Sequence, residues 1–566
     1  MIEKITLENF KGIGEETTIR LGPLTLLFGG NSSGKSTVLH ALAYAREIFE
    51  QHNCNADKTM LGGDSLDLGG FKEMVHGHDI REIIRMKFDF SFRHQRVMKA
   101  RIAKANRLNY MLEKGWIKIE VGIPAQHDRF QDTRDYPCVL FMQVGINEKP
   151  LVELEYCYND ATDKGYQGRV RMLNLDHSAI KDEREFYESL FPFHKQLAFR
   201  ENESDEDKLY DYKPNLAPLD YHYLHGRHAL PTVSRTRPIR LYNGHQLKRY
   251  DRGYQPITLN SLISRATTEL LNLLTNAIYV GPIRQIPERQ FSFDRSVTNP
   301  LADISQRDIS NWATGRGAYD ILPLLEKEEW KQINADLSGN NDEYLDSGYE
   351  LVYFPPGYRT EWQPNEKDDK LQVVIPKHFP PRYAEHMASL SVEDIFWAFV
   401  PDGEWFGLFD IKRNVLVQMH NVGVGLAQII PLVVCMAKNK KQTLLFEQPE
   451  LHLHPKQQAA VGDLLIRAAK SGTQIIAETH SIHLIQRVLR RIREYHANPN
   501  TALFDFVPDR DLFVQLAQSS ETSGTRFRRM EVRPDGKFRR LWPDSFFKQE
   551  LYEKLEGESF NKGDET

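Results

Sequence analysis

The sequence is poor in cysteine and has no long apolar run. Its four cysteines, among 566 residues, lie far apart without any CxxC spacing. This pattern argues against a disulfide framework and a zinc knuckle, and it favours a reducing compartment, so we expect a cytoplasmic protein. No stretch approaches the roughly 18 apolar residues of a membrane span, and the N-terminus MIEKITLENF has no apolar signal segment. We therefore expect no membrane association.

A strong charge of either sign is also missing. The chain has 73 Lys and Arg residues against 78 Asp and Glu residues, a formal net charge of -5. Any nucleic-acid surface must therefore be a local patch. There is no repeat at a fixed period and no sustained heptad pattern, so a long coiled coil is not expected. A chain this long exceeds what one hydrophobic core supports, which predicts two or more lobes.

The local patterns predict an α/β protein. Alternating residues in 1–20 and the solid apolar run LTLLF (24–28) indicate strands, and STVLHALAYAREIF (36–49) has helical spacing. Several alternating runs in 84–160 indicate an antiparallel β lobe, whereas 180–275 has helical patterns around an acidic stretch. From about residue 390 the α/β pattern returns, with strands that end in polar residues.

The stretch FGGNSSGKST (28–37) joins the LTLLF strand to the following helix. It satisfies the phosphate-loop pattern G-x-x-x-x-G-K-[ST], in which backbone N–H groups and a helix N-terminus converge on anionic oxygens. A polar turn is the other interpretation, but the strand before and the helix after favour the phosphate loop. The predicted nucleotide-binding residues here are Gly29, Gly30, Asn31, Ser33, Gly34, Lys35, Ser36 and Thr37. We expect Lys35 to reach the β- and γ-phosphates, Ser36 to bind Mg²⁺ and Thr37 to bond the α-phosphate.

Two later strands end in residues suited to ATP hydrolysis. The stretch TLLFEQPELHLHP (443–455) places Glu447 where it can hold Mg²⁺, with Gln448 next and Glu450 close by. The stretch IIAETHS (475–481) ends a further apolar strand in His480, which is placed to hydrogen-bond a γ-phosphate. A lone Glu or His after a strand is often only structural, and the phosphate loop is what favours function. The predicted catalytic residues are Glu447, Gln448, Glu450 and His480, and the predicted metal ligands are Ser36 and Glu447.

These stretches together resemble the ABC-type ATPases of the SMC and OLD-like (AAA15-type) group, mainly over residues 1–80 and 390–485. The resemblance implies an ABC-ATPase-like head with a P-loop core sheet, an antiparallel β lobe and an inserted helical lobe, with ATP and Mg²⁺ as cofactors. It also implies that NVGVGLAQ (421–428) is the family's signature motif, whose Gly423, Gly425 and Gln428 touch the nucleotide of a partner subunit. We therefore expect a head-to-head homodimer, or a higher homo-oligomer, around ATP. A plain helix cap remains the other interpretation of these glycines.

One position departs from that family. Its members commonly have an acidic pair, the first residue for metal and the second for activating water, but Glu447 is followed by Gln448. An amide cannot take a proton as a carboxylate does. Gln448 can still orient a water, and Glu450 is the other candidate base. We therefore expect slow or partner-gated hydrolysis.

A narrower resemblance rests on YVGPIRQIPER (279–289), EQPELHLHP and the ending MEVRPDGKFRRLWPDSFF (530–547). These stretches look like the PtuA type of ATPase in Septu anti-phage systems and its retron-linked relatives. The resemblance implies a separate HNH nuclease of the PtuB type, and in retron-linked cases a reverse transcriptase with its reverse-transcribed DNA and RNA. The alternatives are a DNA-repair or chromosome-maintenance ATPase and a nucleotide-gated scaffold with very low turnover.

We expect no nuclease domain in this chain. Only 86 residues follow His480, fewer than a typical domain, and no HNH-like or zinc-ligand cluster is apparent, because His452 and His454 fit the dimer loop better. Two basic runs, 225–252 and 526–540, are candidate nucleic-acid or partner surfaces, with solvated loops as the alternative. The run 487–494 is interpreted as the solvated face of a helix, and RPDGK as a hairpin turn.

Five regions follow from these patterns. They are an N-terminal ATPase part with the P-loop and β lobe (1–175), a helical insertion (176–275), a middle region of the head (276–390), a C-terminal ATPase part (391–495) and an accessory region (496–566).

Overall fold

The fold is that of a computed structural model. It describes residues 1–59, 61–92, 97–101, 107–127, 135–158, 166–174, 177, 220–221, 241–242, 259–288, 291, 309–355, 362–364, 371–373, 379–389, 404–520 and 524–540. The basic run 225–252, apart from positions 241–242, lies outside the described residues. So does most of the predicted helical lobe.

The first sheet is antiparallel and has nine strands. In chain order the strands are β1 (Ile2–Glu8), β2 (Thr17–Arg20), β6 (Ile84–Ser91), β9 (Lys114–Gly122), β10 (Cys138–Ile146), β11 (Lys149–Tyr158), β12 (Tyr166–Leu173), β13 (Asp220–Tyr221) and β14 (Leu241–Tyr242). They lie side by side in the order β14-β13-β12-β11-β10-β9-β6-β1-β2. Strand β6 alternates strictly between buried and half-buried residues, as expected of a sheet with one face on a core. The predicted antiparallel β lobe is confirmed.

The second sheet has six strands and carries the phosphate loop. They are β3 (Leu24–Gly29), β15 (Ala277–Val280), β21 (Thr443–Glu447), β22 (Gln474–Glu478), β23 (Leu512–Ser520) and β24 (Gly524–Met530), in the order β15-β21-β22-β3-β23-β24. All neighbours are parallel except β23 and β24, which form a hairpin. The carboxyl ends of five strands therefore meet at one edge of this sheet.

Ten α-helices and smaller β elements complete the described chain. The helices are α1 (Thr37–Arg46), α2 (Gly70–Met74), α3 (Leu259–Thr275), α4 (Ile309–Ala313), α5 (Arg316–Asp320), α6 (Lys327–Ser338), α7 (Pro381–Ser389), α8 (Val424–Lys438), α9 (Pro455–Lys470) and α10 (Ile482–Ala497). Helix α1 continues as a π-helical turn, Glu47–Gln51, and short 3₁₀ turns occur at His76–His78, Pro124–Gln126, Leu322–Leu324 and Met419–Asn421. The remaining strands form three hairpins, β4 (Lys58–Thr59) with β5 (Gly63–Asp67), β7 (Val97–Arg101) with β8 (Arg107–Met111) and β17 (Trp362–Pro364) with β18 (Leu371–Val373), and one sheet of β16 (Tyr349–Phe354), β19 (Trp405–Asp410) and β20 (Val415–Val417).

The parallel sheet lies between two hydrophobic cores. Leu27 on one face joins the core shared with α1, α3 and the antiparallel sheet. Leu26 and Phe28 on the other face join the core that contains the apolar residues of α8, α9 and α10. Because successive side chains of a strand point to opposite faces, a strand covered on both sides is mainly apolar. In β21 and β22 the only acidic residue is the last one of the strand.

Two of the predicted region boundaries do not match this architecture. Strand β23 pairs directly with β3, so residues 512–530 belong to the core sheet and not to an accessory region. Helix α3 was placed at the end of the helical insertion, but its buried residues join the core of α1 and the antiparallel sheet. The mixed α/β class, with a P-loop sheet and an antiparallel lobe, is confirmed.

The interpretation of 487–494 as a solvated helix face is wrong in part. In α10, Arg491 Nε donates to Asp463 Oδ1 at 2.7 Å, and Arg487 donates to Asp463 Oδ2 at 2.6 Å. Asp463 is fully buried and Arg491 nearly so. A carboxylate from α9 therefore holds two arginines inside the helix packing. Within the described part of the chain, no helix has the length and apolarity needed to span a membrane.

Candidate nucleotide-binding site

The loop between β3 and α1 has the backbone shape of a phosphate cradle. Gly29 and Gly34 have φ angles of 153° and 87°. A Cβ at Gly29 would lie 2.6 Å from the carbonyl oxygen of Ala517, and one at Gly34 would lie 2.5 Å from Thr525 Oγ1. Both positions therefore require glycine. By contrast, a Cβ at Gly30 would meet nothing within 4 Å, which leaves the mouth of the loop open.

The polar groups of the loop fit an anion. Gly30 and Asn31 are exposed, whereas Ser33 is buried and its hydroxyl has no hydrogen-bond partner. Lys35 is only 3% exposed, and its Nζ donates to the carbonyl oxygen of Gly30 at 2.7 Å, so it folds across the loop. Thr37, at the start of α1, is also buried. An ammonium group, an orphaned hydroxyl and a helix N-terminus in one concavity are the components of a phosphate site.

The hairpin of β23 and β24 packs against this loop. Thr525, in β24, donates its hydroxyl to the carbonyl oxygen of Ser33 at 3.0 Å, and its backbone N–H donates to Gly12 at 2.6 Å. Sequence reasoning missed Thr525 because it lies almost five hundred residues from the loop.

Two carboxylates end neighbouring strands beside the cradle. Glu447 and Glu478 are register partners at the ends of β21 and β22. Ser36 Oγ donates to Glu478 Oε2 at 2.7 Å, and Lys35 Nζ lies 3.6 Å from Glu478 Oε1. Glu447 instead accepts a hydrogen bond from the Tyr279 hydroxyl at 2.9 Å. Glu478 was not among the predicted site residues, although it ends its apolar run just as Glu447 does.

The charges at this edge influence one another. Burial, and then the negative charge of Glu478, raise the pKa of Glu447 to about 7. Burial lowers the pKa of Lys35, and Glu478 opposes that shift. The pKa of His480 is lowered by burial and by the charge of Lys35, so His480 is neutral near pH 7. The charges of Lys35, Glu447 and Glu478 therefore act on one another, and those of Lys35 and Glu478 also act on His480.

Glu450 has a structural position that does not suit the predicted general base. It is 6% exposed, and its Oε1 accepts hydrogen bonds from the backbone N–H groups of His480 and Ser481 at 2.8 and 3.1 Å. Burial raises the pKa of this carboxyl group. Glu450 therefore holds the backbone that presents His480.

Gln448 is held firmly through its backbone. Its φ angle of 44° is unusual for a residue other than glycine, and its N–H donates to the carbonyl oxygen of Glu478 at 2.8 Å. The buried guanidinium of Arg284 donates to the carbonyl oxygens of Glu447 and Gln448 at 2.8 and 3.1 Å. Arg284 lies in the YVGPIRQIPER stretch and was missed as an individual residue.

The signature stretch divides into an exposed part and a buried part. Gly423 is exposed, with open space where a Cβ would point, and it begins α8 without a side-chain cap. A Cβ at Gly425 would lie 2.4 Å from the carbonyl oxygen of His452, so packing within the chain already requires glycine there. Gln428 is 6% exposed, and its amide bonds the backbone N–H and carbonyl of Arg284. Gln428 is therefore engaged within its own chain, and its contact with a partner's nucleotide stays a prediction.

A second cation lies near the acidic edge and was also missed. Lys11, in the loop after β1, donates from Nζ to His40 Nδ1 at 2.9 Å. Burial lowers the pKa of His40 to about 3, so the ring is neutral and accepts this bond. Burial lowers the pKa of Lys11, and the charges of Asp67, Glu73 and Glu447 oppose the shift.

The donor set fits Mg²⁺. A serine hydroxyl and carboxylate oxygens are the hard ligands that Mg²⁺ takes, and they are present in Ser36, Glu447 and Glu478. Among the residues that the structure describes, no group of three or more His, Cys, Asp or Glu side chains is arranged to hold a metal ion. Mg²⁺ commonly binds through one or two carboxylates together with water and substrate phosphates, so this set suits an ion that arrives with a nucleotide.

The remaining sequence predictions have mixed outcomes. His454 caps α9, accepting from the N–H of Lys456, and the structure gives no metal role to it or to His452. The basic run 526–540 is largely paired within the chain, through the ion pairs Arg526–Glu15, Arg529–Asp509, Arg533–Asp535 and Arg539–Glu531. It is therefore less basic than its sequence indicates. A small turn does occur at RPDGK, where Val532 bridges Phe538.

Comparisons with known proteins identify a family for the chain. The model of the AAA ATPase domain family (AAA_15) matches residues 1–208 and 324–485. No curated protein matches the chain. Among solved structures, an Smc head bound to the C-winged helix domain of ScpA has 10% identity, covers 94% of this chain and 98% of its own, and has a TM-score of 0.39. The SMC head domain from Thermotoga maritima has 10% identity, coverages of 94% and 99%, and a TM-score of 0.32. A Pyrococcus furiosus Smc head domain bound to a ScpA domain has 10% identity, coverages of 98% and 98%, and a TM-score of 0.33.

Likenesses at such low TM-scores add nothing to the assignment, which rests on the family model and on the phosphate loop. The family model covers well over half of the chain, including the phosphate loop and both acidic strands. The chain belongs to the AAA ATPase domain family.

Proposed function

We propose that this protein binds ATP with Mg²⁺ in the loop Gly29–Thr37 and hydrolyses it to ADP and phosphate. The observation that carries the proposal is the meeting of Lys35, Ser36, Glu447 and Glu478 at one edge of the parallel sheet. A cation and a hydroxyl on one side, with two carboxylates on the other, suit a triphosphate and its metal ion.

Each residue of the proposed site has a distinct role. Backbone N–H groups of the loop and Lys35 bind the phosphates, Ser36 and Glu447 hold the metal, and His480 bonds the terminal phosphate as a neutral imidazole. When bound, Mg²⁺ neutralises charge that develops on the phosphate oxygens. Glu450 acts as a positioning residue, because it fixes the backbone at His480.

Hydrolysis is proposed to be slow or gated by a partner. Gln448 has no carboxylate to take a proton, and Glu450 is occupied by two backbone N–H groups. The alternative of a nucleotide-gated scaffold with very low turnover is the extreme case of slow hydrolysis. Comparing single-turnover and steady-state hydrolysis by the purified protein, alone and with operon-encoded partners, measures the gating directly.

The proposed assembly is a homodimer, or higher homo-oligomer, around ATP. The uncapped N-terminus of α8 is exposed at Gly423, and the neighbouring Val424 is 49% exposed. A free helix N-terminus suits an anion, which would be the partner subunit's nucleotide. We expect Val424→Asp to abolish ATP-dependent dimers in light scattering. The matched control is Leu503→Asp, which changes an apolar residue that is 44% exposed elsewhere.

The biological role is proposed from the resemblance of sequence stretches alone. We propose that the protein is a PtuA-type ATPase and that it regulates a separate HNH nuclease in anti-phage defence, with a reverse transcriptase as a further partner in retron-linked systems. The cytoplasm is the expected location, since the few cysteines are scattered. Purification from the native operon, followed by mass measurement, tests this role. Co-purification of a nuclease supports defence, whereas DNA-repair partners would favour the chromosome-maintenance alternative.

Binding of labelled ATP tests the proposed site itself. We expect Lys35→Ala to weaken ATP binding by about 30-fold or more, because it removes a charged hydrogen-bond donor from the phosphates. The matched control is Lys118→Ala, which removes a lysine from β9, where Lys118 pairs loosely with Glu120 at 3.9 Å. Equal ATP affinity in the two variants would contradict the proposed function.

A further inference from the structure

A second carboxylate lies beside Glu447, on the neighbouring strand of the parallel sheet. Glu447 and Glu478 are register partners on parallel strands, so their backbones lie about 4.8 Å apart and their side chains leave the same edge of the sheet. Strand β22 lies between β21 and β3, and Glu478 is the register partner of Leu27, two residues before Gly29. Glu478 is therefore the acid nearer to the phosphate loop.

Glu478 contacts Lys35 and Ser36, the loop residues proposed to bind the phosphates and the metal ion. Ser36 Oγ donates to one carboxylate oxygen at 2.7 Å, and Lys35 Nζ lies 3.6 Å from the other. The side chain is well buried, with 6% of the residue exposed. Glu447 instead accepts a hydrogen bond from the Tyr279 hydroxyl at 2.9 Å. Of these two acids, Glu478 is the one that reaches the cradle.

Two carboxylates side by side repel each other unless a cation lies between them. Lys35 supplies one positive charge in this structure, but a triphosphate would draw its ammonium group away. The two acids and Ser36 then remain as a set of hard oxygen donors, which is the set that a divalent cation neutralises.

We propose that Glu478 is a second acidic ligand, beside Glu447, of the Mg²⁺ that accompanies ATP. This inference rests on the proposed function. Before nucleotide binds, the same carboxylate holds Lys35 and Ser36. With nucleotide and metal bound, Lys35 would contact the phosphates, and Ser36, Glu447 and Glu478 would hold the metal. The two carboxylate ligands would thus come from two neighbouring strands.

The test separates metal affinity from nucleotide affinity. Mn²⁺ replaces Mg²⁺, and its electron paramagnetic resonance signal reports binding to the complex with a non-hydrolysable ATP analogue. We expect Glu478→Gln to weaken Mn²⁺ binding by about tenfold or more. Fluorescent ATP measured with EDTA should bind as tightly as to the unaltered protein, or more tightly, because Lys35 no longer has a competing carboxylate. The matched control is Glu350→Gln, a buried acid of β16.

The possible outcomes are distinguishable. If Glu478 only supports the loop, ATP affinity in EDTA falls while Mn²⁺ affinity is unchanged, and the inference is overturned. If the unaltered protein binds no ATP, the proposed function itself fails. If Lys35→Ala loses ATP binding but Glu478→Gln keeps full Mn²⁺ affinity, only the inference fails.

A second variant covers the case in which Glu478→Gln does not fold. Glu478→Asp keeps the charge but withdraws it by one methylene group, and thermal melting verifies its fold. We expect weaker Mn²⁺ binding in this variant too, and unchanged Mn²⁺ affinity would overturn the inference.

Discussion

The two large sheets of this protein differ in where their charged side chains lie. In the parallel sheet, every residue of β3 and β22 is buried, and acids stand only at the carboxyl ends of β21 and β22. In the antiparallel sheet, β6 alternates buried with half-buried residues. Its charged side chains pair across the open face, as Arg85 does with Glu8 at 2.7 Å and Glu120 at 3.4 Å.

The charges on the antiparallel sheet stabilise a surface, whereas the charges at the edge of the parallel sheet are placed to bind a ligand. On the antiparallel face, ion pairs with partly exposed lysine or arginine side chains are made by Glu3, Glu8, Asp89 and Glu120, and water screens these pairs. At the edge of the parallel sheet two acids are buried beside Lys35, and the charges of Arg284 and Lys11 also act on Glu447. Burial is costly for charged groups, so this concentration of buried charge identifies the candidate site.

The largest effect is expected from the apolar interior of the parallel sheet. Phe446, fully buried in β21, precedes Glu447. We expect Phe446→Ala to lower the free energy of unfolding by about 3–5 kcal/mol, because it removes a large side chain and leaves a cavity. Urea denaturation of variant and parent measures the change. A loss below about 1 kcal/mol would show that this sheet is not packed as described.

Arg284 is the buried cation on which the acidic edge depends. Its guanidinium donates to the carbonyl oxygens of Glu447 and Gln448. Burial lowers the pKa of Arg284 to about 10, so it remains charged near neutral pH. We expect Arg284→Ala to cost about 2–4 kcal/mol of stability, since it leaves buried carbonyl groups unpaired, and to reduce ATP hydrolysis as well.

Denaturation and steady-state turnover measure these two effects of Arg284→Ala. Unchanged turnover in the folded variant would contradict a positioning role for Arg284.

Glu447 predicts a pH dependence with a definite sign. Its pKa in the folded protein is about 7, above the ordinary 4.5, so between these values the folded state holds a proton that the unfolded state has released. Stability therefore falls as the pH rises through this window and levels off above pH 7. Glu447→Gln removes this contribution, and we expect the variant to gain on the order of 2 kcal/mol relative to the parent between pH 5 and pH 8 without nucleotide.

Denaturation of the parent and of Glu447→Gln at several pH values measures that gain. Parallel stability profiles for the two proteins would contradict the shifted pKa.

The smallest effect is expected on the open face of the antiparallel sheet. Arg85, with 33% of its side chain exposed, contacts Glu8 and Glu120. We expect Arg85→Ala to change the free energy of unfolding by less than about 1 kcal/mol and to leave ATP affinity unchanged. A loss as large as that of Phe446→Ala would remove the contrast between the two sheets.

The sequence correctly predicts those features that depend on residues close together in the chain. The phosphate loop, the strands before Glu447 and His480 and the following helices depend on neighbouring residues, whose spacing fixes their periodicity. Glu478 and Thr525 depend on which strands lie beside β3, and strand order cannot be obtained from spacing alone. The region after residue 496 was separated from the head for the same reason, because β23 pairs with a strand near the other end of the chain.

Gln428 differs in its surroundings from the exposed start of the same stretch. Its position in a glycine-bearing stretch suggested a surface role, but the stretch changes from exposed to buried within one turn of α8, and Arg284 occupies the amide. Whether such a residue lies at the surface or in the core depends on its partner within the chain, and here that partner, Arg284, is over a hundred positions away. The exposed Gly423 remains a candidate for contact with a second subunit.

The most direct test is an experimental structure with Mg²⁺ and a non-hydrolysable ATP analogue. The account predicts the triphosphate in the loop Gly29–Thr37, with Lys35 on its phosphates and the metal between Ser36 and the carboxylates of Glu447 and Glu478. A nucleotide bound elsewhere on the chain, or a metal bound without contact to either carboxylate or to water molecules that they hold, would contradict it.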